Sequence, residues 1–334
     1  MTDYLPQARR LPFASAPLFA LRIGMLRRHV RCFVCLLLLS PAPLLAQNHT
    51  GVADHVRGEM SFLASDALGG RGSATHDELV AATYVAAQFQ SFGLDTAEVQ
   101  RVPLPSGAST YNAIGILRGT SSGLAQQTIL LSSHLDHLGT RRSWTGPVIY
   151  HGADDDASGT TAVLELARAF GSSPQKPLRT VVFVCFGSEE TGGQGDQYFI
   201  LHPPVPLASV VAHLEFEMIG QPDRAIRPDQ LWLTGWERTD LGPTLARHGA
   251  PLVADTHSAQ NFFTRSDNFA FAKQGIVAQT VSSYGLGAHY HQPTDDLAHI
   301  DFQHLTSAIE RMISPIQWLA NTEWKPSWNP GGRP

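Results

Sequence analysis

The run Thr180-Val-Val-Phe-Val-Cys-Phe186 constrains the fold more than any other stretch of this chain. It carries no charge, it is rich in β-branched and aromatic residues, and it shows no polar alternation. Such a run reads as a strand buried on both faces, which requires helices above and below its sheet. The flanking sequence supplies them. Residues 77–92 place Leu79, Ala82, Val85, Ala86 and Phe89 at helical spacing and stop near Gly93, residues 160–170 are rich in Ala and Leu, and residues 302–318 form a closing amphipathic helix. Further strands are expected at 111–117, 127–133, 210–216, 231–234 and 275–281. Alternating strands and helices predict an α/β fold: a three-layer sandwich with a mixed, mostly parallel central sheet flanked by helices.

Domain boundaries follow from composition. Met25-Leu-Arg-Arg-His-Val-Arg31 is basic, 32–39 is apolar, and Pro41-Ala-Pro-Leu-Leu-Ala46 precedes a polar stretch. This is the order of a secretory signal, too short in its apolar part for a permanent anchor. Residues 1–46 are therefore expected to be a signal peptide with an upstream extension, 47–324 one catalytic domain, and 325–334, rich in Pro and Gly, a flexible tail. Export to the periplasm or the extracellular space is expected, with no stable membrane anchor after cleavage. Cys32 and Cys35 fall in the signal, so only Cys185 remains, and it reads as a buried strand residue. The formal net charge is −5, and residues 1–46 hold six arginines against one aspartate, so the remainder is more acidic still. That is the wrong sign for a nucleic-acid binder.

Polar residues cluster where strands end. Strand 127–133 runs into His134-Leu-Asp136-His137, strand 180–186 into Gly187-Ser188-Glu189-Glu190, and strand 210–216 into Glu217. Gly152-Ala-Asp154-Asp155-Asp156-Ala-Ser-Gly159 precedes a helix, and His289-Tyr290-His291-Gln-Pro-Thr-Asp295 comes near the end. Each motif alone has an ordinary structural reading, such as a satisfied histidine or a helix cap at Asp156. Together, at the carboxyl edge of one sheet where α/β folds bind ligands, so many carboxylates would repel one another unless cations neutralised them. Imidazole and carboxylate donors suit zinc and are also acceptable to manganese or cobalt.

These segments resemble the exported di-zinc aminopeptidase family, related to glutamate carboxypeptidase II and glutaminyl cyclase. The resemblance rests on Leu130-Leu-Ser-Ser-His-Leu-Asp-His-Leu-Gly139, the 152–159 motif, Phe186-Gly-Ser-Glu-Glu190, Glu217-Met-Ile-Gly220 and His291-Gln-Pro-Thr-Asp295. Leu68-Gly-Gly-Arg-Gly72 and Ser266-Asp267-Asn268 add to it, and together they span residues 55–320. It implies two zinc ions per chain: His134 and Glu217 on one, Glu190 and His291 on the other, Asp155 bridging. It also implies Glu189 as general base, Asp136 as the residue that orients a ligand or the base, and a cis bond after Asp155. Tyr290, with Tyr284 as competitor, is the candidate oxyanion donor. Two positions depart from the pattern: Glu217 stands where relatives carry Asp, and Asn268 where His is common. The implied activity is aminopeptidase action on peptide substrates. Carboxypeptidase action, with Arg141, Arg142 or Arg265 as carboxylate partner, glutaminyl cyclase action and a non-catalytic binding role are the alternatives. A serine hydrolase is unsupported, because Gly187-Ser188-Glu189 lacks the Gly-x-Ser-x-Gly turn.

Overall fold

The computed structural model describes residues 51–334. The expected signal segment, with Cys32 and Cys35, lies outside the described residues. In chain order the elements are helices α1 (Val52–Leu63) and α2 (His76–Ser91), then strands β1 (Thr96–Pro103), β2 (Ser109–Leu117) and β3 (Thr128–His134). A hairpin, β4 (Gly139–Ser143) with β5 (Gly146–Tyr150), leads to α3 (Gly159–Gly171), β6 (Thr180–Phe186), α4 (Gln194–Leu201) and β7 (Val210–Phe216). The chain closes with β8 (Leu231–Leu233), α5 (Leu241–Arg247), β9 (Leu252–Ala254), α6 (Asn268–Lys273), β10 (Ala278–Ser282) and α7 (Phe302–Asn321).

Eight strands form one sheet in the order β1-β2-β6-β3-β7-β10-β8-β9. The four inner strands β6, β3, β7 and β10 run parallel, so their carboxyl ends share one edge. β1 and β2 are antiparallel additions on one side, and β8 joins β10 antiparallel on the other. Side-chain alternation splits the core into two layers. Ile129, Leu131, Phe183 and Leu214 pack with α1, α2, α3 and α7, while Leu130, Val182, Val184 and Phe186 pack with Phe199 of α4 and Phe271 of α6. This is the expected three-layer sandwich. The fully apolar strand β6 sits between both layers, with every residue buried.

Two details position the site. A Cβ on Gly159 would run into the Phe216 carbonyl and the Asp156 carboxylate, so a glycine lets the start of α3 press against the end of β7. At the other end of the chain the Pro/Gly-rich segment makes hydrogen bonds to the body of the fold. Trp328 donates from its indole N–H to the Gly275 carbonyl at 2.9 Å, Ser327 binds Asp240 through backbone N–H (2.7 Å) and hydroxyl (2.9 Å), and Arg238 donates to the Gly332 carbonyl at 3.0 Å. A large ring with its own donor gives a Pro/Gly-rich segment enough to hold it in place. Among the described residues no helix is long and apolar enough to cross a membrane.

Candidate metal centre

The centre is assembled at the shared carboxyl edge. β3 and β6 are in register, with His134 opposite Phe186, so His134 and the Ser188-Glu189-Glu190 turn emerge side by side. β7 delivers Glu217 next to them. His134 is fully buried, and its Nδ1 donates to the Asp136 carbonyl at 3.0 Å. That bond orients the ring and turns Nε2 toward Asp155 Oδ1, 3.0 Å away. Donor atoms of His134, Asp155 and Glu217 lie within 4.8 Å of one another, and so do those of His137, Asp155 and Glu190. His291 Nε2 reaches Asp155 Oδ2 at 3.1 Å and Glu190 Oε2 at 3.2 Å. The structure thus gathers His134, Asp155, Glu190, Glu217 and His291 around one shared aspartate. It adds His137, which the sequence motif contains but to which no role attaches from sequence.

The three consecutive aspartates have separate tasks. Asp155 faces the centre. Asp154 Oδ1 accepts from the Gly220 N–H at 2.7 Å, and Asp156 Oδ1 accepts from the N–H groups of Gly159 and Met218, each at 3.0 Å. These two tie the loop after β7 to the start of α3. The peptide bond between Asp155 and Asp156 is cis. Asp295, four residues after His291, accepts from the N–H groups of Asp154 (2.8 Å) and Asp155 (3.1 Å) and so fixes the shared carboxylate from behind. Arg71, inside the Leu68-Gly-Gly-Arg-Gly72 motif, is 1% exposed. Its guanidinium donates to the carbonyls of Leu63, Leu135, His151 and Gly152, clamping the loops on both sides of the centre. A planar five-donor fork is the group for that task.

Ser188 adopts a left-handed conformation (φ 68°) that turns the chain between the strand and the two glutamates, whose side chains then diverge. Glu190 points to His137 and His291. Glu189 is held by its backbone N–H, which donates to Asp136 Oδ1 at 3.0 Å, so Asp136 positions Glu189 through the main chain. The hydroxyl of Ser73 also donates to Asp136. Glu215 does not join the centre. It accepts from the Ser266 hydroxyl (2.8 Å), the Asn268 N–H (2.8 Å) and the Thr280 hydroxyl (3.1 Å), which gives Ser266 and Asn268 an anchoring role.

Electrostatics express the crowding. Burial, reinforced by the charges of Glu217, Asp155 and Asp136, holds the Glu189 carboxyl well above the usual range despite nearby His134. Burial and Glu215 push Glu217 up to about 8. The Asp155 and Glu190 carboxylates beside it, 3.1 Å and 3.2 Å away, raise His291 to about 10. Burial disfavours the Asp155 carboxylate, but His134, His291 and His137 outweigh it and hold the group ionised. Four carboxylates around three imidazoles favour any bound cation. Several of the donor atoms that face inward, namely both nitrogens of His137, Asp155 Oδ2 and Glu190 Oε1, are buried without a hydrogen-bond partner. Buried polar atoms are seldom left so, and a thiol-free nitrogen and oxygen set of this kind fits zinc.

Beside the centre lies a cleft walled by Trp232, Phe262, Tyr284 and Tyr290 and also lined by Glu189 and Asp155. Trp232 stacks on Phe262 (5.3 Å between centroids), and Tyr290 stacks on His291 (3.8 Å). Of the three arginines considered from sequence, Arg141 and Arg142 are exposed on the β4–β5 hairpin, whereas Arg265 lines the cleft.

A parallel-edged α/β sandwich with a shared carboxylate between two imidazole-containing clusters defines a class: the fold of zinc-dependent exopeptidases. The chain belongs to peptidase family M28, which matches residues 112–315. It is 28% identical over 230 residues to leupeptin-inactivating enzyme 1 of Streptomyces exfoliatus, a match that covers 66% of this chain and 47% of that protein. The chain therefore spans about half the length of that relative. Its fold is similar to that of BSAP, a zinc aminopeptidase from Bacillus subtilis (TM-score 0.64, 16% identity, 81% of this chain and 95% of the other). It is also similar to that of Porphyromonas gingivalis glutaminyl cyclase (TM-score 0.60, 19% identity, 80% and 98%). Two reactions on one fold mean that the site, not the sandwich, decides between them.

Proposed function

We propose that this protein is a two-zinc aminopeptidase that removes N-terminal residues from peptides. The observation that carries the reading is the single carboxylate of Asp155 held between two donor clusters, with Glu189 beside them and out of the ligand set. His134 and Glu217 would hold one ion, Glu190 and His291 the other, and Asp155 would serve both. When bound, the ions supply Lewis acidity toward water and toward the scissile carbonyl. Glu189 takes a proton from the attacking water. The new C–O bond forms, the C–N bond breaks, and Glu189 returns the proton to the departing amine. A base with a raised pKa is suited to both transfers. Tyr290 donates to the developing oxyanion, and Tyr284 is its neighbour and competitor. The aromatic cleft receives an apolar first side chain. The segment order of residues 1–46 supports export with cleavage of that segment, to the periplasm or outside the cell.

One observation favours a second reading. Arg265 lies in the cleft and is the type of group that holds a substrate carboxylate, as carboxypeptidase action requires. The test is a panel of aminoacyl-nitroanilides and amino-blocked peptides with free carboxyl ends. Turnover of the nitroanilides, strongest for Leu and Phe and abolished by N-acetylation, supports the aminopeptidase. Turnover confined to the amino-blocked peptides contradicts it.

A further inference from the structure

The two donor clusters are unequal. On the His134 side one imidazole and two carboxylates meet, and the second nitrogen of His134 is already engaged by the Asp136 carbonyl. On the other side stand Asp155, Glu190, His291 and also His137. The His137 side chain is fully buried. Its Nδ1 lies 2.8 Å from Glu190 Oε1 and 3.8 Å from Asp155 Oδ2, while His291 Nε2 lies 3.1 Å and 3.2 Å from the same two carboxylates. Ligand atoms around a tetrahedral zinc at ~2.0–2.1 Å stand about 3.3–3.4 Å apart. The four separations scatter around that value, with His137 facing Oε1 of Glu190 and His291 facing Oε2, so the two imidazoles share Asp155 Oδ2 and address the two oxygens of the Glu190 carboxylate. The close approach of His137 to Glu190 is an ion-pair contact that favours the Glu190 carboxylate, but it lacks the alignment of a hydrogen bond, and Glu190 Oε1, Asp155 Oδ2 and both ring nitrogens of His137 have no aligned partner. The rings of His137 and His291 meet edge to face at 5.7 Å, so two imidazoles approach the same carboxylates from different directions.

We propose that His137 is a fourth protein ligand of the Glu190–His291 centre, through Nδ1, and that the two centres consequently hold zinc with unequal affinity. The inference rests on the two-zinc reading above. With His137 this centre would have four protein ligands, two imidazole nitrogens and the carboxylates of Asp155 and Glu190. The His134 centre has three protein ligands and keeps a position open, the arrangement of a catalytic ion. The first ion to bind, and the last to leave, occupies the His137 side.

The test is an equilibrium zinc titration of the full chain against a chromophoric chelator, repeated with cobalt and followed by absorption. The wild-type protein binds two ions whose dissociation constants differ by about 100-fold or more, beyond the ~10–100-fold that an orienting neighbour contributes at its upper end. His137→Asn retains an N–H that can orient Glu190 but is a poor metal ligand, and it weakens the tighter ion by at least that factor while leaving the weaker one unchanged. His137→Cys, checked for native circular dichroism, shows a thiolate-to-cobalt charge-transfer band at the first equivalent. Equal affinities in the wild type with an unaffected His137→Asn overturn this inference alone, as does bound cobalt without the band in His137→Cys. A wild-type chain that binds no metal overturns the two-zinc reading and this inference with it.

Discussion

The half of the site that stands on strand ends and the half that stands on loops are built differently. His134 is fully buried, its ring fixed by the Asp136 carbonyl, at the end of a strand paired on both sides. His291 sits in a left-handed backbone conformation (φ 56°) in the connection between β10 and α7, with its side chain 34% exposed and Tyr290 stacked on it. The strand half takes its position from the sheet and cannot shift without breaking register. The loop half takes its position from Asp295 and from the two carboxylates it meets. On the proposed function the rigid half would set where the ions stand and the more accessible half would meet the substrate, in keeping with the general placement of binding groups on loops carried by a scaffold.

The largest effects should separate the halves. His134→Ala removes the fixed ligand and leaves Asp155 Oδ1 without its partner: zinc at that centre is lost and turnover falls by about 10³-fold or more. His291→Ala should lower turnover comparably, yet shift Tm far less, because the ring is partly exposed. Equal losses of Tm in differential scanning calorimetry would break the comparison. Next comes the clamp beneath both halves. Arg71→Lys replaces a buried fork by a point charge, orphans carbonyls around the centre, and should destabilise the fold by about 3 kcal/mol in chemical denaturation. On the loop side, Tyr290→Phe should lower kcat by about 10²-fold with little change in KM, and Tyr284→Phe by clearly less. The reverse order would transfer the oxyanion role to Tyr284.

The smallest effect lies away from the site. Burial and the neighbouring Glu165 push the Glu59 carboxyl of α1 up to about 9, against 4.5 for the ordinary group. The folded state therefore binds a proton that the unfolded chain releases. The contribution is full below about 4.5 and is lost as pH rises toward about 9. Glu59→Gln mimics the neutral form. Its Tm should match the wild type near pH 4.5 and exceed it by about 2–4 °C near pH 8. A difference that did not grow with pH would contradict this assignment.

Sequence and structure part ways along the same line. β3, β6 and β7 were legible because fully buried strands are apolar runs, and α3 and α7 because their faces repeat at helical spacing. β1 and the β4–β5 hairpin were not, since an exposed edge and a hairpin of Thr140, Arg141, Arg142 and Ser143 bury too little to impose a pattern. The ligand candidates could be read because they follow strand ends. The supports could not: Arg71 and Asp295 act on residues far away in sequence, through hydrogen bonds that no local spacing encodes. His137 was visible as a residue of the motif but carried no signal that distinguished it from a packing histidine. Only the convergence of its Nδ1 on Asp155 and Glu190 does that.

The central claim is that two adjacent glutamates divide the work, Glu190 holding zinc and Glu189 moving protons. Zinc content by elemental analysis, measured alongside turnover on Glu189→Gln and Glu190→Gln, tests it most directly. The account predicts two zinc ions per chain and a kcat lowered by about 10²–10⁴-fold for Glu189→Gln, and loss of about one ion for Glu190→Gln. Full turnover in Glu189→Gln with zinc retained, or unchanged zinc in Glu190→Gln, would contradict it.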